Sequence, residues 1–537
     1  MSLKKIRIAW RTVLSAILIA AAFPPWNQSW LIFVALVPWL MVLDQTATVK
    51  QRVFEAIGLS SVMTLLGYSW VAYAIHHFGE LPWVVSIVGL LIFSLGNQPQ
   101  FIVLALAIGF VRKRDWKGVT ASVFLAAVYA SVDGVMPKLF LDSFGHSLYN
   151  NRPLRQLAEY GGVFGLTFLI VLINLMAAQI ARTFSKRSEL SFWPALQRSR
   201  KYLAVAGGIL AVALVTGEFR ARSVERYESE AKEFVHLAAI QGNIGDIQKV
   251  AAYKGLYQAG ESTLATYLKL SEDALRMSPK PDAIVWPETA YPSTFRTPMN
   301  TVELARDQRI ERFVTANEIP LIFGGYDRGD GKDFNSVFVL NPKTDNDLAV
   351  YHKSVLLPFG EYIPGFGEHS VFKEWFPNMG FFGHGQGPIA LEVRAKKALF
   401  RVQPLICYEA LVSRHTLLRK EVGDARVILN VTNDSWFGTF GEPDLHLALS
   451  VFRSLEARLP QVRSTNTGIT ALILPSGKIV GASTVGEETI VPMTVPLVDA
   501  KTTVLFYVGK FIPLFLALVA LFCFGWHRLG LRHPPKP

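Results

Sequence analysis

The chain has 537 residues, 51% of them hydrophobic, and a net charge of +12. Its mean hydropathy of +0.29 sets it apart from ordinary soluble enzymes and points to a membrane protein with length to spare for a globular domain. No basic stripe with interleaved aromatics is present, so the charge does not point to nucleic acid, and with only Cys407 and Cys523, the latter in an apolar run, no disulfide framework is expected.

Seven apolar runs fill the first 220 residues, at about 8–24, 29–45, 54–77, 82–111, 118–137, 161–182 and 201–217; each is near or above the roughly 20 residues that cross a bilayer. The first follows Lys4, Lys5 and Arg7 as a signal peptide would, but further spans follow directly, so a retained helix is expected. The fourth is interrupted by Gly96-Asn97-Gln98-Pro99-Gln100 and reads as one kinked helix or two short ones. Loop charge decides between them. With the N-terminus inside, the inner segments hold Lys50, Arg52, Arg112, Lys113, Arg114, Lys117, Arg182, Lys186 and Arg187. The outer loops near Pro24–Gln28 and His76–Leu81 hold no Lys or Arg, and the third, about 138–160, holds only Lys138, Arg152 and Arg155. Splitting the fourth run would put the Arg112–Lys117 cluster outside, against the positive-inside rule. Seven spans then place everything after about residue 218 outside.

Residues 220–232 are charged and read as a short helical stalk. From Phe234 to about Pro496 the pattern is α/β. Short β-like runs occur at Val235–Ile240, Ala283–Trp286, Leu321–Gly324, Ser336–Leu340, Ala398–Ile406, Val427–Val431, Thr470–Leu474 and Ile479-Val480. Helical patterns fall near Gly255–Met277, Leu304–Asn317 and His446–Leu459, so a layered α/β sandwich is expected. Thr503–Phe524 is an eighth apolar run, followed by His527, Arg528, Arg532 and Lys536. The expected organisation is a transmembrane domain over 1–220, an extracytoplasmic catalytic domain over 233–497 and a C-terminal membrane helix over 503–526.

Three segments of the α/β region put a polar residue after an apolar strand. They are Ile284-Val285-Trp286-Pro287-Glu288-Thr289, Tyr351-His352-Lys353 leading to Phe359-Gly360-Glu361-Tyr362, and Leu405-Ile406-Cys407-Tyr408-Glu409. Singly each has a plain explanation: a small buried cysteine, a solvated lysine, a glutamate capping a helix. In this order and spacing they resemble the Glu–Lys–Cys triad of the nitrilase superfamily. Gln241-Gly242-Asn243, Asn430-Val431-Thr432-Asn433-Asp434 and Arg463-Ser464-Thr465-Asn466-Thr467-Gly468 extend the likeness across the domain. With seven spans before and one after, and with Ala22-Phe23-Pro24-Pro25-Trp26, Gly67-Tyr68-Ser69-Trp70 and Asn433-Asp434-Ser435-Trp436-Phe437-Gly438, the whole chain resembles the apolipoprotein N-acyltransferase family. It departs from that pattern at Asp142–Tyr149, where many members carry an Arg and a Gly-Phe-Pro-Trp-type segment.

The resemblance implies a nitrilase-like sandwich on a polytopic helical domain of eight spans. It implies a multi-pass protein of the bacterial inner membrane, with a periplasmic catalytic domain and both termini cytoplasmic. The reaction would move a fatty acyl group from a phospholipid, with phosphatidylethanolamine the expected donor, through a Cys407 thioester to the α-amine of the diacylglyceryl-cysteine of an apolipoprotein. On chemical grounds Cys407 is the nucleophile, Glu288 the general base, and Lys353 the cation that favours the thiolate and stabilises the oxyanion. Glu361 and Glu409 are expected to hold Lys353, and Tyr408 to support the site. Gly365–Gly387, with Trp375, Phe376, Phe381 and Phe382, and Asp434–Gly441, with Trp436 and Phe437, read as arms that dip into the bilayer interface and guide acyl chains; the plain alternative is core-filling aromatics. No cofactor is expected. The eleven histidines are scattered, His384 and His446 standing alone, so no metal is expected either. Two alternatives use the same scaffold: a membrane-tethered amidohydrolase with water as acceptor, and a non-catalytic nitrilase-like scaffold.

Overall fold

The computed structural model describes residues 8–77, 79–185, 192–245, 257–329, 331–342, 347–364, 381–417, 422–499 and 503–532. The chain divides into two units, one of Met1–Ala72, Trp83–Ala221 and Tyr507–Pro537, the other of Tyr73–Pro82 and Arg222–Phe506.

The first unit is helical. Among the described residues, four helical stretches are long and apolar enough to cross a membrane: Trp83–Lys113, which is broken into helices Trp83–Gly96 and Gln100–Lys113, then Ala158–Ser185, Phe192–Ser229 and Gly509–Leu529. Val49–Gly67 and Trp70–His77 form a pair bent by 65°, and Trp10–Ala22, Ser29–Gln45 and Val119–Val135 are shorter apolar helices. Several candidate spans are therefore present. Where a separate stalk was expected after the run at 201–217, one helix runs from Phe192 to Ser229. Outward-facing Val84, Ile92 and Phe522 are exposed, as lipid-facing side chains are. Inside, single polar side chains satisfy backbone that has left the helical ladder. Asn174 Oδ1 accepts from the Leu36 amide at 2.8 Å while its Nδ2 donates to the Ile32 carbonyl at 2.7 Å.

The second unit holds two sheets. The first runs in the order β13-β1-β2-β4-β5-β6, with β3 pairing β4; the strands are β1 (Phe234–Gln241), β2 (Ala283–Val285), β3 (Tyr291–Thr294), β4 (Leu321–Gly329), β5 (Lys332–Leu340), β6 (Leu348–His352) and β13 (Thr489–Pro496). The second runs β12-β11-β10-β9-β8-β7, with β7 (Leu391–Arg394), β8 (Leu399–Ile406), β9 (Val427–Thr432), β10 (Gln461–Thr465), β11 (Ala471–Ile473) and β12 (Ile479–Val480). Alternate residues of both sheets fill one core: Val235, Leu237 and Ala239 of β1 join Val337 and Val339 of β5, Val402 and Ile406 of β8, and Val427, Leu429 and Val431 of β9. The other face of the first sheet is covered by helices Tyr257–Ala274 and Thr301–Asn317, with Leu264, Tyr267, Ile310 and Val314 packed on Ile284 and Phe323. Helix Glu442–Ala457 is buried along most of its length, and its last residue, Ala457, packs with Leu405 and Ile428 on the outer face of the second sheet. The unit is thus the expected layered sandwich, helix on sheet on sheet on helix.

Strands buried on both faces read as unbroken apolar runs, which is why β1, β2, β8 and β9 were legible. β7, β10 and β13 were not: Gln461–Thr465 carries polar side chains that the site uses, and Leu391–Arg394 is a four-residue edge strand. β1, β2 and β4 are mutually parallel, as are β8, β9 and β10. Residues just past the C-terminal ends of β2, β8 and β9, where parallel sheets place functional groups, include Glu288, Cys407 and Asn433.

Candidate active site

Glu288 leaves the end of β2 through Trp286-Pro287. The ladder continues that far, with the Trp286 amide on the Ile322 carbonyl at 2.8 Å and the Gly324 amide on the Pro287 carbonyl at 3.1 Å. The carboxylate is buried. Its Oε1 accepts from Asn335 Nδ2 at 2.8 Å, and its Oε2 from the Asn433 amide at 2.9 Å. Lys353 Nζ stands 3.5 Å from Oε1.

Lys353 follows β6 and is 1% exposed, so it is not a surface lysine. Its ammonium donates to Glu361 Oε1 at 2.8 Å, and its own amide is held by the Asn335 carbonyl at 2.8 Å. Burial acts to lower its pKa, but Glu361, Glu288 and Cys407 outweigh that and raise it, so the ammonium is the resting form. Glu361 is fixed from its other oxygen, where the Leu357 amide donates at 2.7 Å. Asn335, on β5, bridges the two acids, its Nδ2 also donating to Glu361 Oε1 at 3.0 Å. The sequence reading missed Asn335; its signal was a polar pair, Asn335-Ser336, at the head of the apolar run Val337–Leu340.

Cys407 opens a 3-10 turn, Cys407–Leu411, at the tip of β8, with its backbone at φ +48°. Non-glycine residues held there cost about 1–3 kcal/mol and persist only where surroundings over-determine them. Here Glu409 does so: its Oε2 accepts from the Ile406 amide at 2.8 Å, and its Oε1 from the amides of Ser354 (2.8 Å) and Val355 (3.1 Å) and from Tyr351 Oη (2.7 Å). This corrects the expectation for Glu409: its carboxylate is taken up by the backbone on either side of the site, and it holds Cys407 and the segment after Lys353 in place. Glu361 alone of that pair holds the ammonium. Thr289, next to Glu288, also sits at φ +51°.

Lys353 does not dominate the electrostatics of the thiol. Burial, then Glu288, push its pKa well above the ordinary value, and Lys353 only partly offsets them. Glu288 and Glu361 carry two negative charges against one ammonium, so a resting thiolate would add a third. The uncharged thiol is therefore the form that this arrangement of charges favours. Passing the thiol proton to Glu288 leaves the net charge of the buried group unchanged. Tyr408 is buried beside the site; burial, then Tyr362, push its pKa up to about 12, so it stays a neutral phenol.

The remaining motifs form a polar floor. Asn466 Nδ2 donates to Asn433 Oδ1 at 2.9 Å and its Oδ1 accepts from the Ile244 amide at 3.0 Å; Gln241 Oε1 accepts from Thr470 Oγ1 at 2.7 Å and Ser483 Oγ at 2.8 Å. His446 does not stand alone in space. Its Nδ1 lies 2.8 Å from Asp434 Oδ1 and 3.5 Å from Glu442 Oε1, and its Nε2 3.4 Å from the Cys407 carbonyl. Asp434, Glu442 and His446 could by distance hold a metal ion. Arg463 Nη2, however, occupies Asp434 Oδ2 at 2.9 Å, so two cations already face the two acids.

Of the expected arms, Trp375 and Phe376 lie outside the described residues. Phe381 and Phe382 are half-buried; the Phe382 ring stacks on Tyr326 with centroids 5.5 Å apart, and the following Gly383 and Gly385 amides bond to the Asp333 and Lys353 carbonyls at 2.9 and 2.8 Å. Trp436 and Phe437 are half-buried in a 3-10 turn, Asp434–Phe437, and Phe440 is exposed.

Two family models match the sequence: one described as the apolipoprotein N-acyltransferase N-terminal domain over residues 15–176, and one as carbon-nitrogen hydrolase over 236–503. Among curated proteins, an apolipoprotein N-acyltransferase of Bdellovibrio bacteriovorus is 30% identical over 490 residues, 89% of this chain and 86% of that protein. One of Geobacter metallireducens is 29% identical over 504 residues, covering 91% of this chain and 89% of the relative. One of Bradyrhizobium diazoefficiens is 28% identical over 553 residues, covering 98% and 96%.

Proposed function

The chain belongs to the apolipoprotein N-acyltransferase family, and from that premise we propose how it performs lipoprotein N-acylation. It is a membrane-associated acyltransferase with a lipoprotein substrate. In our reading Cys407, Glu288 and Lys353 carry the chemistry, with a phospholipid, phosphatidylethanolamine first among candidates, as donor.

Cys407 Sγ attacks the ester carbonyl of the phospholipid while Glu288 takes the thiol proton. The carbonyl electrons move to oxygen, and the Lys353 ammonium stabilises that oxyanion together with a backbone N–H after Cys407. Collapse breaks the ester C–O bond; the leaving lysophospholipid alkoxide takes the proton from Glu288, and a thioester remains. The α-amine of the diacylated cysteine then attacks the thioester. Glu288 accepts the amine proton and returns it to the departing thiolate, so the site ends as it began. Glu361 and Asn335 keep Lys353 and Glu288 apart in role and fixed in place. The observation that carries this reading is the buried Lys353 ammonium set between two carboxylates at the Cys407 strand tip.

We further propose residues 233–497 as the periplasmic catalytic domain, anchored by seven spans within 1–220 and one within 503–526, in the inner membrane with both termini cytoplasmic. The support is the Lys/Arg asymmetry of the loops. Purified protein given acyl-labelled phosphatidylethanolamine and a diacylated lipopeptide should form triacylated peptide. Cys407→Ala and Glu288→Gln should lose that transfer. Transfer that survives Cys407→Ala would refute the assignment. Labelled free fatty acid without triacylated peptide would favour the hydrolase.

A further inference from the structure

The interruption at Gly96–Gln100 lies inside the helical unit. Helix Trp83–Gly96 ends there and Gln100–Lys113 begins, leaving backbone and side-chain polar groups within an apolar bundle. Irregular backbone at such depth is tolerated where it is buried in protein or lines a cavity, and broken helices in membranes recur at ion sites.

Most groups at the break are satisfied. Asn97 Nδ2 donates to Thr64 Oγ1 at 3.1 Å, and the Gln98 amide to Ser60 Oγ at 3.3 Å. Gln98 Nε2 donates to Asp142 Oδ2 at 3.0 Å, and Gln100 Nε2 to Gln98 Oε1. Lys138 Nζ pairs with Asp133 Oδ1 at 2.5 Å and donates to the Asp142 carbonyl at 2.6 Å. Four side-chain oxygens are left over, all buried with no hydrogen-bond partner: Asn97 Oδ1 and Ser143 Oγ, and then Asp133 Oδ2 and Gln100 Oε1, the last two in side chains 3% and 1% exposed. Asp133 and Gln100 line the same cavity of about 10 Å³, with Asp142, Tyr129, Met63 and Phe144 among its other walls. That volume admits one water-sized species.

Asp133 Oδ2 and Gln100 Oε1 are both oxygen acceptors, and Ser143 lines the cavity with them; the charges do not balance, since two carboxylates, Asp133 and Asp142, face one ammonium, Lys138. A water could donate to both oxygens but would leave a buried negative charge. A lipid ammonium bearing its carbon chain is too large for the cavity. A divalent ion would overcompensate one surplus charge. We propose that this cavity binds one small monovalent cation of the size of Na⁺, held by Asp133 and Gln100, which pins the helix break to the outer loop that carries Asp142.

The full chain in detergent micelles is first exchanged into N-methyl-D-glucamine chloride. NaCl is then titrated at constant ionic strength, with thermal unfolding and ²²Na⁺ equilibrium dialysis as readouts. The proposal expects saturable binding of one Na⁺ per chain and a matching rise in Tm. Asp133→Asn should weaken binding about tenfold or more, with the loss of Tm rise that linkage requires. In sodium-free medium the same variant should be no less stable than wild type, because it removes the surplus charge yet keeps an oxygen for Lys138. Gln100→Leu, which leaves every charge in place, should also weaken binding. Absence of saturable Na⁺ binding would overturn the proposal, leaving a single water and a protonated carboxyl in the cavity. An Asp133→Asn variant destabilised equally with and without Na⁺ would overturn it too, since the carboxylate would then serve only the Lys138 pair.

Discussion

At the scale of single residues, the site is a problem in buried charge. Removing one partner of a buried ion pair costs about 3–5 kcal/mol because the other is left uncompensated. Lys353→Met should therefore destabilise the protein as well as abolish acyl transfer. Glu361→Gln in the same chain should restore part of the stability and none of the activity; a double-mutant cycle by thermal unfolding checks this, and strict additivity would mean that the two groups do not interact. His446 gives a pH signature. Burial and Arg463 act to lower its pKa, but Asp434 and Glu442 outweigh them and carry it up to about 9. Burial, then Asp434, also bring Glu442 up to about 7. A group whose folded pKa is raised stabilises fully below its unfolded value, about 6.5 for histidine, and that stability is lost as pH climbs through the folded value. Stability should thus fall between about pH 6.5 and 9. His446→Gln should flatten that slope; an unchanged slope would remove His446 as its source.

At the scale of elements, the strand ends set the geometry. A Cβ on Gly324 of β4 would meet Glu288 Cα and the Pro287 carbonyl oxygen at 2.6 Å and the Thr289 amide at 2.7 Å, all backbone. Gly324→Ala should then displace Glu288, and transfer should fall by more than the variant's unfolding midpoint suggests; full activity would show that the Glu288 turn can shift freely. Glu288, Lys353 and Cys407 were legible because each follows a hydrophobic stretch in a recognisable order. Asn335 was not, since its part depends on the β4–β5 register that sets it opposite Tyr326. Glu409 was misread because sequence distance from Cys407 cannot tell a carboxylate facing an ammonium from one facing amides. His446 was passed over because its partner Asp434 lies before its helix, and Arg463, which holds the other oxygen of Asp434, reaches it only when β9 and β10 pair. The same holds for β10, whose polar side chains hide the strand pattern while serving the site.

At the scale of the whole molecule, helices apolar enough for a bilayer and a carbon-nitrogen hydrolase sandwich share one chain, which suits a reaction on a lipoprotein substrate. If the arms at Phe381, Phe382, Trp436 and Phe437 guide acyl chains, polar substitutions there should slow turnover of phospholipid more than that of a short soluble thioester; equal losses would make them simple packing residues. The account turns on the covalent intermediate. Intact-protein mass spectrometry of the purified enzyme with phospholipid and no acceptor should show a fatty-acyl increment that hydroxylamine removes, a diacylated lipopeptide discharges, and Cys407→Ala lacks. An increment that persists in Cys407→Ala, or its absence from a wild-type preparation that still transfers acyl groups to lipopeptide, would contradict the thioester on Cys407.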